Sequence, residues 1–235
     1  MKIAILYICT GRYGIFWDTF FTSMEKYFLS GYVKHYFVFT DNDLSKHTDR
    51  VHFIYQKHLG WPFDTLLRFH MFYGIKNQLL EFDYIFFLNA NMVCVAPIDG
   101  TILPVNEQFT ALSHPGYYGK ERKDFPYETN VQSLAYVPID KGRNYFMGSL
   151  NGGKALPYVK LAETLAYRIE KDLNRGIIAT WHDESHLNRY LLHRRVKKLN
   201  ASYGYPEDWQ LPFEKRILIL DKKKLGGHDF IRSKV

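Results

Sequence analysis

A chain of 235 residues with 46% hydrophobic content can bury a proper core as one α/β domain, and no low-complexity tract or Pro/Gly-rich linker divides it. No apolar run approaches the length of a membrane span, which excludes an integral membrane protein for the chain as it stands. The formal net charge of +7 asks instead for an anionic partner, whether nucleic acid, an acidic membrane surface or a phosphorylated small molecule.

Met1-Lys2-Ile3-Ala4-Ile5-Leu6-Tyr7-Ile8 opens like the apolar stretch of a secretion signal. A glycine turn and an amphipathic segment follow, with no small-residue cleavage site, so the run reads as a first buried strand. Gly11 and Gly14 permit a tight turn, and from Ile15 to Phe28 apolar residues recur at helical spacing. Strand, glycine turn and helix suit a nucleotide pocket, but neither the Gly-x-Gly-x-x-Gly fingerprint nor a Gly-Lys-Ser/Thr loop is present. Strands are expected over Val33 to Thr40, ending in the turn-forming Asp41-Asn42-Asp43, and over Val51 to Tyr55, leading to Gly60-Trp61-Pro62. Pro62 and Asp64-Thr65 then open a long helix expected to reach about Glu81, with Leu66, Leu67, Met71, Ile75 and Leu79 toward the core. Arg68 lies in its first turn, where the helix dipole disfavours a cation, and so serves either a ligand or a surface salt bridge.

The chain is organised around Tyr84-Ile85-Phe86-Phe87-Leu88, a short apolar run of the kind buried on both faces of a central strand. Ligands of open α/β sheets gather beyond the carboxyl ends of such strands, where Asn89 and Asn91 stand. In extended backbone, side chains at i and i+2 share one side, so both amides can face one ligand; the same residues also suit an Asx turn closing the strand. Residues 1–97 thus read as the nucleotide-binding half of a Rossmann-like fold, strand, helix, strand, strand, helix, strand. Cys9 and Cys94, both in apolar strand contexts, predict free thiols and a reducing compartment, with cytoplasm as the default.

From 98 onward the pattern is less regular, as an acceptor-binding half would be. Phe109 to Leu112 reads as a strand entering Ser113-His114-Pro115-Gly116-Tyr117-Tyr118, a loop dense in groups that stack on sugars. Tyr145 to Gly153 mixes aromatic and small residues, which allows a ligand close to the backbone. Lys154 to Leu173 is helical, and Thr180-Trp181-His182-Asp183-Glu184-Ser185-His186-Leu187-Asn188 opens another helix with two acids in its first turn. His182 and His186 are spaced as metal ligands, but with Glu184 between them this is not the His-Glu-x-x-His zinc motif, and no metal is expected there. Basic residues concentrate late, at Arg194-Arg195-Val196-Lys197-Lys198, Lys215-Arg216 and Lys222-Lys223-Lys224; for any one cluster a solvated face is the simplest account.

Taken together, Thr10-Gly11-Arg12-Tyr13, the Asn-x-Asn strand tip, His114-Pro115-Gly116, Tyr145 to Gly153 and above all the octapeptide Trp181 to Asn188 resemble glycosyltransferase family six, in order and over nearly the whole chain. The resemblance implies an α/β GT-A fold: a Rossmann-like half with a central mixed sheet flanked by helices, as a single catalytic domain over 1–235. It also implies retaining transfer of galactose or N-acetylgalactosamine from its UDP conjugate to the 3-hydroxyl of a galactose, often an α-1,2-fucosylated one, in an oligosaccharide acceptor. By position, Ile8, Cys9, Thr10 and Tyr13 would hold uridine and Arg68 the donor, with Asp183 on its sugar hydroxyls. His114, Trp181 and Glu184 would face the acceptor, with Glu184 the catalytic carboxylate.

Animal members of that family carry Asp-x-Asp at the strand tip and hold Mn²⁺ there. Asn89 and Asn91 remove both charges, as in bacterial members that act without metal, so no divalent cofactor is expected. Lys222 and Arg232 match tail positions that close over the diphosphate, while Asn89 and Asn91 are left to hydrogen-bond the donor. Donor choice should be read at Met147-Gly148-Ser149, where bulk at the first and third positions favours UDP-galactose. Phe125-Pro126-Tyr127-Glu128-Thr129-Asn130 departs from the pattern of relatives, which leaves the fucose requirement open. A sugar-binding protein without turnover and a basic nucleic-acid binder are the alternatives, and the basic residues leave peripheral membrane association open.

Overall fold

In the computed structural model, which describes residues 1–232 and of His228 and Arg232 only the backbone, β1 (Lys2–Ile8) turns Ile3, Ile5 and Tyr7 to one face and Ala4 and Leu6 to the other. All five are fully buried, as a strand covered on both sides by helices requires. A 3₁₀ turn, Gly11–Phe16, leads into α1 (Trp17–Tyr27), and β2 (Val33–Thr40) and β3 (Val51–Tyr55) follow at the expected bounds.

The long helix expected from Pro62 to Glu81 is three short ones: α2 (Phe63–Leu66), α3 (Arg68–Gly74) and α4 (Lys76–Leu79). Leu67 and Ile75 leave helical geometry, at φ −93°, ψ 9° and φ −108°, ψ 20°. Gly74, a poor helix former, precedes the second break, where the Ile75 N–H reaches back three residues to the Phe72 carbonyl instead of four. The break at Leu67 turns Arg68 inward, so it is buried rather than paired at the surface.

Next come β4 (Tyr84–Leu88), β5 (Met92–Cys94), β6 (Phe109–Ser113), β7 (Phe146–Lys154), α5 (Ala155–Leu173), α6 (His182–Leu191), β8 (Val196–Leu199), β9 (Tyr205–Pro206), β10 (Ile217–Ile219) and α7 (Gly227–Arg232). Seven strands form one mixed sheet in the order β3-β2-β1-β4-β7-β6-β8, and β5, β10 and β9 make a smaller one. Aromatic residues of α1 cover one face of the large sheet, while α3, α5 and α6 cover the other. This is the α/β architecture with a mixed sheet flanked by helices that the sequence predicts. Among the described residues, no helix is long and apolar enough to cross a membrane.

β7 is where sequence and structure part most clearly. Its glycines bring backbone close to core, not to a ligand: a Cβ on Gly152 would lie 2.5 Å from the Phe86 ring, and one on Gly153 2.5 Å from the Gln108 carbonyl. Only Gly148 faces reactive groups. β7 runs antiparallel to β4, pairing Leu88 with Leu150, so its first residues emerge beside the last residues of β4. Since β1 and β4 are parallel, three adjacent strands deliver polar residues to one edge of the sheet.

Candidate active site

At that edge lies a cleft of about 290 Å³. Ile8 and Thr10 reach it from the end of β1, Tyr13 from the 3₁₀ turn that follows, Asn89 and Asn91 from the turn after β4, Met147, Gly148 and Ser149 from β7, and Trp181, Asp183 and Glu184 from the start of α6. Arg68 and Lys222 complete the predicted residues that it gathers.

Glu184 sits at its base. One carboxylate oxygen accepts from the Tyr145 hydroxyl at 2.8 Å and the other from the Gly148 N–H at 2.6 Å. Burial pushes its carboxyl up to about 7; those two donors and Arg68 pull down, and Asp183 adds to the rise. Asp183 is buried beside it, 3.1 Å from the Arg68 Nε. Burial likewise lifts Asp183, to about 6, against the pull of Arg68. The Arg68 Nε–H donates to the Thr65 carbonyl, not along the line to Asp183, so Asp183 Oδ2 has no hydrogen-bond donor among the described residues, and the buried Ser149 Oγ likewise has no partner. Buried polar atoms are normally satisfied, so these two are vacant places for a polar ligand.

Three devices fix this geometry. Arg68 donates through Nη1 to the Gly148 carbonyl at 2.9 Å and lies 4.5 Å from the centre of the Phe87 ring. His182 adopts φ +52°, a left-handed conformation costing a residue with a Cβ about 1–2 kcal/mol, directly before the two acids. Asn188 ties α6 to β7: its amide accepts from the Phe146 N–H at 2.8 Å and donates to the Phe146 carbonyl at 2.8 Å and the Glu184 carbonyl at 2.9 Å. Asn188→Ala should therefore cost about 2–3 kcal/mol in a denaturant titration, because it orphans buried main-chain groups. A change under about 0.5 kcal/mol would mean that the clamp is not needed.

Two predicted contacts fall elsewhere, and a third is not described. Cys9 is buried in the core and does not line the cleft; its carbonyl already accepts from Thr40 and Asn42, and burial pushes its thiol up to about 12. His114 packs on Tyr117 and Tyr145 in a neighbouring cavity, one tyrosine removed from Glu184. The Arg232 side chain lies outside the described residues. The two asparagines do not share one side of an extended strand: Met92 N–H bonds back to the Asn89 carbonyl, so the tip is a turn, although both residues still line the cleft. Asn91 donates its amide N–H to the Leu220 carbonyl at 2.8 Å, which fastens the C-terminal segment to the strand tip. That segment carries Lys222, whose Nζ lies 3.1 Å from the Tyr13 hydroxyl, across the cleft mouth.

The sequence reading missed His58, Trp61, Asp64 and Thr65, which also line the cleft. His58 and Asp64 pair at 2.8 Å, and Asp64 also accepts from the Leu59 and Gly60 N–H groups. The turn residues Gly60-Trp61-Pro62 marked this loop, but nothing in the one-dimensional pattern indicates that it folds over Gly11, where a Cβ would lie 3.3 Å from the His58 ring.

A mixed α/β sheet with a buried acid pair at the start of α6, under a cleft edged by indoles, suits an enzyme that handles sugars. The sequence profile of Glycosyltransferase family 6 matches residues 1–232, and the chain belongs to that family. It is 34% identical over 236 residues to the O-antigen biosynthesis glycosyltransferase WbnI of Escherichia coli, covering 99% of this chain and 100% of that protein. Over 208 residues it is 30% identical to the human Globoside alpha-1,3-N-acetylgalactosaminyltransferase 1, covering 85% of this chain and 59% of the relative. The rat Histo-blood group ABO system transferase 2 is 31% identical over 215 residues, covering 87% of this chain and 64% of the relative. The chain thus spans only about three-fifths of the length of these animal relatives.

Proposed function

We propose that this transferase moves galactose or N-acetylgalactosamine, with retention, from its UDP conjugate to the 3-hydroxyl of a galactose in an oligosaccharide, Fucα1-2Gal being the acceptor of choice, without a divalent metal. One observation carries the reading: the Glu184 carboxylate, oriented by Tyr145 and Gly148, stands beside the vacant acceptor atoms of Asp183 and Ser149 in a cleft whose mouth is spanned by Lys222. Uridine would lie along Ile8, Thr10 and Tyr13, the hexose hydroxyls on Asp183, and the acceptor against Trp181. Glu184 would face the anomeric carbon as nucleophile or as stabiliser of its positive charge, and both routes need it ionised.

The strand tip is a poor home for a hard cation, which wants anionic oxygens. It offers neutral amides, one already donating to Leu220, and the carboxylates of the adjacent cavity are engaged, Glu207 and Asp208 by Lys224 at 2.9 Å each and Asp221 by the Lys223 N–H at 2.9 Å. Charge on the departing UDP falls instead to Lys222 and, by position, Arg232. Bulk at Met147 and Ser149 tilts the proposal toward UDP-galactose, a preference of about 1–3 kcal/mol at most. The buried free thiols of Cys9 and Cys94 support the cytoplasm as its location.

The test is incubation with UDP-galactose and UDP-N-acetylgalactosamine, with Fucα1-2Gal and lactose as acceptors, in EDTA. Transfer should proceed undiminished and faster with UDP-galactose. Abolition by EDTA with recovery in Mn²⁺ would overturn the metal claim, and donor binding without any product would leave only a sugar-binding protein.

A further inference from the structure

The basic run at 194–198 has no task in the reaction just described. β8 is an edge strand of the sheet, and Lys198 projects from it into a cavity of about 350 Å³ that is shared with Tyr145, His114 and Arg143. The Tyr145 hydroxyl on Glu184 sets this cavity one tyrosine side chain from the reaction centre. A second, contiguous cavity of about 220 Å³ also has Arg143 and Lys198 in its wall, with Arg194 beyond them. Among the described residues, no carboxylate lines either one. Among the described residues, Lys198 meets only the neutral Asn144 amide, at 3.3 Å. The first cavity is walled by aromatic rings, with Tyr118 and Phe213 packed edge to face at 4.8 Å.

Resting on the transferase reading above, we propose that this cavity is an acceptor subsite for an anionic group, a carboxylate or a phosphate carried by the acceptor beyond the galactose that is modified. Aromatic walls suit the apolar faces of a sugar, and uncompensated cations at one end select a negative substituent. The galactose would stand against Trp181 and Glu184, and the next sugar would pass Tyr117 and His114, which brings its substituent to Arg143 and Lys198.

The experiment compares one acceptor disaccharide in three forms: neutral, with a phosphate ester at its reducing end, and extended there by a uronic acid. Each is followed by transfer kinetics and, independently of turnover, by tryptophan-fluorescence titration in the presence of UDP. At low salt, kcat/KM and affinity should favour the anionic forms by about 10-fold, and the advantage should shrink in 0.5 M salt as screening requires. Whichever anionic arm gains more identifies the group. In the double variant Arg143→Ala/Lys198→Ala the advantage should disappear while turnover of the neutral acceptor persists. Equal kcat/KM and affinity for neutral and anionic forms, or an advantage that survives the double variant, would overturn the subsite. Absence of transfer to all three would overturn the transferase reading instead, and the titration would still decide whether the anion is recognised.

Discussion

Glu184→Gln is expected to lower transfer by about 10³-fold or more while UDP affinity stays within about 2-fold. The substitution keeps size and shape but removes the charge that the proposed transfer needs at the anomeric carbon. One amide oxygen can replace only one of the two acceptors that now meet Tyr145 and Gly148, so stability should fall by about 1 kcal/mol as well. The same residue sets a pH signature. Burial holds its carboxyl at about 7, so the ionised form is depleted below neutrality, and kcat/KM for the wild-type enzyme should rise with pH along a limb centred near 7. Turnover in the variant within tenfold of wild type, or a wild-type profile flat down to pH 5, would remove Glu184 from the chemistry.

Arg68→Met should be the most destabilising single change in the cleft, by about 3–5 kcal/mol at pH 8, because it leaves Asp183 as an unpaired buried charge. The side chains of the pair are only 7% and 2% exposed, so solvent cannot take over the role of the guanidinium. Burial has already raised Asp183 to about 6 against the pull of Arg68, and removing that pull raises it further. An acid whose folded-state pKa lies above its unfolded value favours folding most below the unfolded pKa and loses that contribution as pH climbs through the folded one. Wild type has finished losing it near pH 6, whereas the variant goes on losing it above that. The deficit should therefore widen from pH 5.5 to pH 8 in urea titrations, and transfer should fall with it because Arg68 also holds the Gly148 carbonyl. A deficit below 1 kcal/mol, or one independent of pH, would show that Asp183 is compensated by something other than Arg68.

Much of the frame was legible because strands buried on both faces need unbroken apolar runs. Tyr84 to Leu88 begins and ends where such a run does, whereas Val33 to Thr40 carries Lys34 and His35, and the edge strand Val51 to Tyr55 is largely exposed and is marked by its β-branched and aromatic residues. Family motifs carried the cleft residues for a related reason: side chains that meet one ligand come as short local strings, such as Trp181 to Asn188. The helix after Pro62 was overextended because its apolar spacing continues across Leu67 and Ile75, where the backbone nevertheless leaves the helix. Cys9 stands between the cleft residues Ile8 and Thr10 in the chain but points away from the cleft, since adjacent residues of an extended segment face opposite ways, whereas His114 lies with Ser113 and Pro115 on a loop that lines the neighbouring cavity. The amphipathic pattern could not report the Tyr145 hydroxyl on Glu184, because 39 residues separate the partners.

By itself, then, the order of residues determined an α/β chain with a polar tip of neutral amides on its central strand and two acids at the mouth of a helix. These are local properties, set by hydrophobic period, helix-end electrostatics and side-chain chemistry. Only the tertiary structure decided that Arg68 faces Asp183, that Asn188 clamps α6 to β7, that Lys222 bridges to Tyr13 and that Lys198 stands in a cavity without carboxylates. Each of those depends on groups far apart in the chain meeting at fixed distance and depth, and both the strength of a charge pair and the cost of an orphaned hydrogen bond are set by that depth.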